Sequence, residues 1–115
     1  MPIFARTGLA ASWDERLAHA VGGAIADEFV GKGANVLLGP SVDLARTPTF
    51  GRTFESLSGE DPWLGAALAA PFVRAVQARG VIAVAKHFAA YTQERARTSL
   101  NAVVDERTRV ELYYP

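Results

Sequence analysis

Two short apolar runs alternate with helical patterns along this chain, and that alternation limits the folds available to it. The runs cover 35–38 (NVLL) and 81–85 (VIAVA), and both have the length and branched composition of buried strands. A helical pattern precedes each run, one from Ser12 or Asp14 to a glycine-rich stop at 31–33, the other from about Pro62 to Arg79. Helices that alternate with buried strands indicate parallel α/β units. This pattern does not separate an open sheet from a barrel.

Apolar residues spaced by three and four predict the face that each helix turns toward the sheet. In the first helix these residues are Leu17, Val21, Ala24, Ile25 and Phe29. In the second helix they are Leu64, Leu68, Phe72, Val73 and Val76. Pro71 falls inside the second helix, where it should bend the helix or remove one hydrogen bond. A third helix is predicted to start near Asp105, a natural cap.

Polar side chains gather after the two predicted strands. Residues 39–62 form a long irregular segment, and loops of that length inside a compact domain are usually functional. Lys86 and His87 follow the second run directly. Because ligands of parallel α/β sheets bind outside the carboxyl ends of the strands, this pair is a candidate site. The alternative is a pair of solvated loop residues.

Composition excludes several classes of function. Half of the residues are apolar, and 12 basic side chains balance 12 acidic ones, so the chain has no electrostatic reason to bind nucleic acid or an anionic membrane. Cysteine is absent, which rules out disulfides and thiolate metal sites, and no phosphate-binding glycine motif follows either run. We therefore expect neither a cofactor nor a metal. The N-terminal residues MPIFARTGLAAS lack the order of a secretory signal, and the compartment stays open between cytoplasmic and secreted.

Six motifs in sequence resemble glycoside hydrolase family 3, the β-glucosidase and β-xylosidase family. They run over nearly all of 9–115 as LAASWDERLAHAVGGAIADE, KGANVLLGPSVDLARTP, GRTFE, EDPWLG, VAKHFAAYTQERAR and VVDERTRVELYYP. The resemblance implies a (β/α)₈ TIM-barrel-like domain, which takes about 250 residues. The chain, with 115 residues, is therefore expected to be an incomplete part of an N-terminal barrel domain, with the rest of the parent polypeptide as its partner.

The function implied is part of a β-glucosidase-like enzyme that hydrolyses terminal non-reducing β-D-glycosyl residues by a retaining two-carboxylate mechanism. The alternatives are a β-xylosidase of the same family and a catalytically silent sugar-binding homologue. The N-acetylglucosaminidase branch carries a histidine-bearing loop after the Lys-His strand. The corresponding QERARTSL has no histidine, which favours a glucosidase or xylosidase acting on a small-molecule or oligosaccharide substrate.

By the resemblance, Arg52, Lys86 and His87 line the pocket for the terminal sugar and hydrogen-bond its hydroxyls. Arginine and lysine only donate, whereas neutral histidine both donates and accepts. The alternative for Arg52 is a salt bridge to Glu55 or Asp61 within the loop.

Other polar residues of the motifs receive supporting roles. Glu55 is expected to hold Arg52, while Asp43 and Arg46 are expected to pack within the loop. Glu94 and Arg97 are expected to form an ion pair that shapes the pocket.

The chain departs from the family pattern at one pair of residues, and the family's catalytic residues fall outside its motifs. Tyr91 and Thr92 stand where many family members have two asparagines, so the phenol is expected to narrow or reshape the site. The family's nucleophile aspartate lies later in the barrel, its acid/base glutamate comes from a following domain, and an aspartate that grips the sugar lies upstream. The chain has five aspartates, Asp14, Asp27, Asp43, Asp61 and Asp105. None of them stands in a matching nucleophile motif, so no catalytic residue is assigned.

Overall fold

The computed structural model describes residues 6–115. Its helices are α1 (Arg6–Ala10), α2 (Glu15–Gly31), α3 (Pro62–Gln77) and α4 (Glu106–Thr108), and its strands are β1 (Val36–Leu37) and β2 (Ile82–Ala83). A 3₁₀ turn covers Thr53–Glu55, and a π-helical turn, Arg109–Tyr113, continues α4. The predicted order of helix, strand, loop, helix, strand and helix is confirmed. The additional α1 was not predicted, because five residues are too few to show an apolar period.

Side-chain caps fix where the two long helices begin. The Asp14 carboxylate accepts from the backbone N–H groups of Arg16 and Leu17 at 2.8 and 3.2 Å, as expected for an N-cap. The Asp61 carboxylate accepts from the N–H of Trp63 at 2.9 Å, and Pro62 occupies the first turn of α3. Both helix starts therefore follow from capping chemistry that is visible in the sequence.

The buried face of α2 agrees only in part with the predicted one. Ile25 is buried and Val21 and Phe29 are partly buried against the core, as predicted, whereas Leu17 and Ala24 are exposed. The other buried residues of α2 are Ala18, Gly22, Gly23 and Ala26. They were not predicted because α2 packs closely against α3, and glycines that permit a close approach carry no apolar signal. A Cβ on Gly22 would stand 2.7 Å from the Phe72 carbonyl oxygen, so only glycine fits this crossing.

The apolar face of α3 agrees with the prediction. Leu64, Leu68, Phe72 and Val76 are buried, and Val73 is half-buried. Pro71 lies inside the helix, which continues to Gln77. The four buried side chains Leu64, Leu68, Phe72 and Val76 pack in the core between the helices and the strands. Other members of this core are Ile25, Leu37, Leu57 and Val81.

The two strands pair in parallel, with Val36 opposite Ile82 and Leu37 opposite Ala83. Both strands are shorter than the predicted runs, but backbone pairing continues beyond them. The N–H of Lys86 donates to the Pro40 carbonyl at 2.9 Å, and the N–H of Val42 donates to the Lys86 carbonyl at 2.7 Å. This continued pairing sets the start of the 39–62 loop beside Lys86 and His87.

Asp105 caps α4, as predicted, by accepting from the N–H of Thr108 at 3.0 Å. Over residues 6–115, no helix has the length and apolar character needed to cross a membrane. The expectation about a secretory signal rests partly on residues 1–5, which lie outside the described part of the chain.

Candidate functional site

A single carboxylate joins two of the predicted site residues. Glu55 accepts from Arg52 through two parallel bonds, Oε1 to Nε at 2.7 Å and Oε2 to Nη2 at 3.1 Å. Its Oε2 also lies 2.9 Å from the Nζ of Lys86. Bidentate guanidinium–carboxylate pairs are strong and geometrically specific. The loop salt bridge and the convergence of Arg52 with Lys86 are therefore parts of one arrangement, which we call the Glu55 bridge.

The Glu55 bridge fixes the charges of Glu55 and Arg52. Hydrogen bonds from Arg52, with a further contribution from Lys86, lower the pKa of Glu55 to about 2 against the opposing effect of partial burial. The same hydrogen bond to Glu55 raises the pKa of Arg52. Glu55 is therefore a carboxylate, and Arg52 a cation, throughout the physiological pH range.

His87 is held by a different carboxylate, that of Asp43. One oxygen, Oδ2, lies 2.7 Å from the Nδ1 of His87 and 3.3 Å from its backbone nitrogen, and it also accepts from Ser41 Oγ at 2.9 Å. The Asp43 side chain is only 6% exposed, whereas that of His87 is 30% exposed. Only loop packing was predicted for Asp43, because nothing in the sequence links two residues so distant along the chain. The parallel pairing of 40–42 with Lys86 makes them neighbours.

Tyr91 connects the two parts of the site. Its ring packs edge-on against Phe50 at a centroid distance of 5.2 Å and lies tilted against the His87 ring at 4.2 Å. Its hydroxyl accepts from Arg52 Nη1 at 3.4 Å and Arg97 Nη1 at 3.1 Å. The phenol thus stands between Arg52 and His87, a position that the sequence indicated only as a departure from the family pattern.

A second ion pair lies at the more exposed side of this group, as predicted. Glu94 Oε2 is 3.4 Å from Arg97 Nη1, and Glu94 Oε1 is 3.6 Å from Arg52 Nη1. Glu94 also accepts a short hydrogen bond from the Tyr91 hydroxyl, which is the main cause of its lowered pKa, with Arg97 and Arg52 contributing. The pair borders the site and contacts the Glu55 bridge through Arg52.

The remaining candidates lie elsewhere. Arg46 is exposed, and Asp61 serves as the cap of α3. Within residues 6–115, no group of three metal-ligating side chains lies together. What converges is two cationic donors, one imidazole and one phenol, a set suited to a neutral ligand with several hydroxyls.

Comparison with known proteins identifies the family. Residues 3–114 match the Glycosyl hydrolase family 3 N terminal domain. The chain belongs to glycosyl hydrolase family 3, as the motifs indicated.

Named relatives of the chain are β-glucosidases. The chain is 46% identical over 107 residues to the thermostable β-glucosidase B of Acetivibrio thermocellus, a match that covers 93% of this chain and 14% of that protein. The β-glucosidase DesR of Streptomyces venezuelae, solved with D-glucose, superposes with a TM-score of 0.93 at 34% identity, covering 98% of this chain and 14% of that one. β-Glucosidase 3B of Thermotoga neapolitana, solved with α-D-glucose, superposes with a TM-score of 0.88 at 40% identity. That match covers 97% of this chain and 15% of the other.

These superpositions confirm the predicted fold class, a partial TIM-barrel-like α/β fold. The chain spans about one-seventh of the length of the relatives that it matches.

Proposed function

We propose that this chain is part of a β-glucosidase-like enzyme that hydrolyses terminal non-reducing β-D-glycosyl residues, and that Arg52, Lys86 and His87 form part of the wall that binds the terminal sugar. The observation that carries the proposal is the Glu55 bridge beside His87 at the carboxyl ends of the parallel strands. Membership of the family and the glucose complexes of two similar structures support it. The names of these relatives favour a glucosidase over the β-xylosidase alternative.

We assign this wall a role in binding rather than in catalysis, because its two carboxylates, Glu55 and Asp43, are engaged by other residues of the chain. Retaining hydrolysis needs a nucleophilic carboxylate and an acid/base carboxyl. Glu55, with a pKa of about 2, carries no proton to donate near neutral pH, and both of its oxygens are engaged by cations. Asp43 is buried and accepts three donors through one oxygen. We therefore assign the nucleophile and the acid/base group to other segments of the parent polypeptide.

Preorganised donors would make this wall effective. Charge-assisted hydrogen bonds to sugar hydroxyls are stronger than neutral ones. Because Glu55 already holds Arg52 and Lys86, little reorganisation is needed when the sugar arrives, and such donors stabilise a transition state efficiently. We further propose that residues 1–115 are one part of a barrel domain, which other segments of the same polypeptide complete.

The test compares variants of the full-length polypeptide on an aryl β-glucoside. Arg52→Ala and Lys86→Ala should each lower kcat/KM by about 2–4 kcal/mol of transition-state stabilisation, the typical cost of losing one preorganised donor. Arg74→Ala, which removes an exposed arginine of α3, is the matched control and should retain wild-type kinetics. Near-wild-type rates for both Arg52→Ala and Lys86→Ala would refute the binding role, and a wild-type polypeptide that binds glucose without hydrolysing the glucoside would favour the silent homologue.

A further inference from the structure

The imidazole of His87 is oriented by Asp43 from behind. Asp43 Oδ2 contacts both the ring nitrogen Nδ1 and the backbone N–H of His87, and its side chain is almost fully buried. Within residues 6–115, the hydrogen bonding of the ring runs through Nδ1, and no partner of Nε2 is found. One edge of the ring is thus anchored while the other is left for a ligand.

The chemistry of the pair assigns the proton. An ionised carboxylate can only accept, so the Nδ1 that lies 2.7 Å from it must carry hydrogen. Ser41 Oγ and the His87 backbone N–H also donate to the same oxygen, which leaves that oxygen with no proton of its own. In neutral imidazole the other nitrogen, Nε2, then holds a lone pair and accepts.

We propose that Asp43 is a positioning residue that holds His87 in the Nδ1–H tautomer, so that Nε2 accepts a hydrogen bond from one hydroxyl of the bound sugar. This inference rests on the proposed sugar-binding function and adds a named atom and direction to it. The tilted contact between the His87 and Tyr91 rings, at 4.2 Å, limits rotation of the imidazole about the Asp43 anchor.

Among the three residues of the proposed wall, only His87 can accept a hydrogen bond. Arg52 and Lys86 can only donate. A sugar hydroxyl that accepts a hydrogen bond from either of them can still donate its own O–H to an acceptor. The oxygens of Glu55 are already occupied by these two cations. His87 Nε2 supplies the complementary acceptor, and a polar group left without a partner in a closed site costs affinity.

Asp43 also stabilises its loop, and the experiment must separate the two roles. Its carboxylate accepts from Ser41, and its backbone carbonyl accepts a short hydrogen bond from the Ser56 hydroxyl. A purely structural role would disturb the whole site, whereas a positioning role would disturb one hydrogen bond to the sugar.

The kinetic test uses the full-length polypeptide, an aryl β-glucoside and its 2-, 3-, 4- and 6-deoxy analogues. Asp43→Ala should lower kcat/KM about 10- to 100-fold on the parent glucoside but by less than about 3-fold on the one analogue that also becomes insensitive to His87→Ala. Asp43→Ala combined with His87→Ala should be no slower than His87→Ala alone. Asp43→Asn should restore most of the activity, because its amide oxygen can accept the same three donors. Equal losses on every analogue, with additive effects in the double variant, would overturn the proposal.

A spectroscopic test reads the tautomer without depending on turnover. In the full-length polypeptide labelled with ¹⁵N-histidine, the His87 signals are assigned by their loss in His87→Ala. The wild type should show neutral imidazole with hydrogen on Nδ1, and Asp43→Ala should shift the population toward the Nε2–H form. An Nε2–H tautomer or a fully protonated ring in the wild type at neutral pH would refute the assignment. If the wild type neither hydrolyses a β-glucoside nor binds glucose, the proposed function and the acceptor role both fail, while the ¹⁵N result still decides whether Asp43 sets the tautomer.

Discussion

At the scale of single residues, the site is built from two carboxylates with separate tasks. Glu55 holds the two donors Arg52 and Lys86 side by side, and Asp43 holds His87. Neither cation would remain beside the other without an anion between them, because like charges repel strongly at short range. The anions that organise the site therefore matter as much as the groups that we propose to bind the sugar.

Replacing Glu55 tests this organising role. Glu55→Gln in the full-length polypeptide should lower kcat/KM by about 1.5–3 kcal/mol, since the amide NH₂ would face a cation that also donates. Glu60→Gln, an exposed glutamate of the same loop, is the control and should be silent. Steady-state kinetics on an aryl β-glucoside measure both, and wild-type values for Glu55→Gln would show that the bridge is dispensable.

The same carboxylate predicts a pH dependence of stability. Its pKa in the folded chain, about 2, lies below the ordinary value of 4.5, so its stabilising contribution is complete above about pH 4.5 and is lost as the pH falls from there through about 2. In the full-length polypeptide, the difference in urea midpoint between wild type and Glu55→Gln should therefore stay constant from pH 7 to 5 and shrink below 4.5. A difference that grows on acidification contradicts this prediction.

Tyr91 offers a comparison between its ring and its hydroxyl. Tyr91→Phe keeps the ring contacts with Phe50 and His87. It removes the hydrogen bonds that the hydroxyl makes with Arg52, Glu94 and Arg97. We expect a loss of about 0.5–1.5 kcal/mol in transition-state stabilisation for Phe and a larger loss for Tyr91→Asn, which also removes the ring. Measured kcat/KM values in the opposite order would show that the ring contact carries no function.

At the scale of elements, close packing of α2 on α3 sets the position of the site. Gly22 lies directly against the backbone of Phe72, a fully buried residue at the centre of the core. Helices that approach so closely transmit any added volume to the backbone, because cores are as dense as organic crystals. The strand that follows α3 leads to Lys86. A shift of α3 would therefore displace Lys86 and change the geometry of the site.

Two glycines of the same helix test this packing. Gly22→Ala should destabilise the α2–α3 pair by about 1–3 kcal/mol, because a Cβ would stand 2.7 Å from the Phe72 carbonyl oxygen. Gly31→Ala meets no atom within 4 Å and should be neutral or stabilising by about 0.5–1 kcal/mol. Hydrogen exchange of peptides from α2 and α3 in the full-length polypeptide measures both. Equal protection in the two variants would contradict the close contact.

At the scale of the whole molecule, residues 6–115 leave large apolar side chains exposed. Phe88 is 96% exposed and Val103 is 87% exposed, and Leu38 and Ile82 at the strands are also largely exposed. The radius of gyration is 14.4 Å, whereas a compact domain of this length has about 13 Å. Where such side chains lie together in a contiguous patch, we expect them to contact other segments of the polypeptide.

The isolated chain is therefore expected to be poorly soluble or molten and to lack glycosidase activity. A two-stranded sheet is marginal by itself, and unpaired strand edges promote aggregation. Purification followed by near-ultraviolet circular dichroism and an assay with a chromogenic β-glucoside measures both properties. A soluble monomer with a cooperative melt would contradict the folding prediction, and turnover that survives removal of contaminating enzymes would contradict the other.

The sequence by itself determined the family and the order of the elements, and it singled out Arg52, Lys86 and His87 as candidate site residues. The order of the elements follows from local signals, namely helix caps such as Asp14 and Asp61 and the two apolar runs. These signals depend only on residues that are close in sequence, so they can be recognised without the tertiary structure. The motifs around Arg52 and Lys86-His87 carried the resemblance that the family match confirmed. These features needed no knowledge of which residues meet in space.

Only the tertiary structure decided which residues distant along the chain touch. The buried face of α2 depends on a glycine contact with α3, and periodicity analysis does not register glycine. The contacts of Asp43 with His87, and of Tyr91 with Arg52, join residues that are far apart along the chain. They exist because 40–42 pairs in parallel with Lys86, and the register of that pairing is set by the packed core rather than by any local preference.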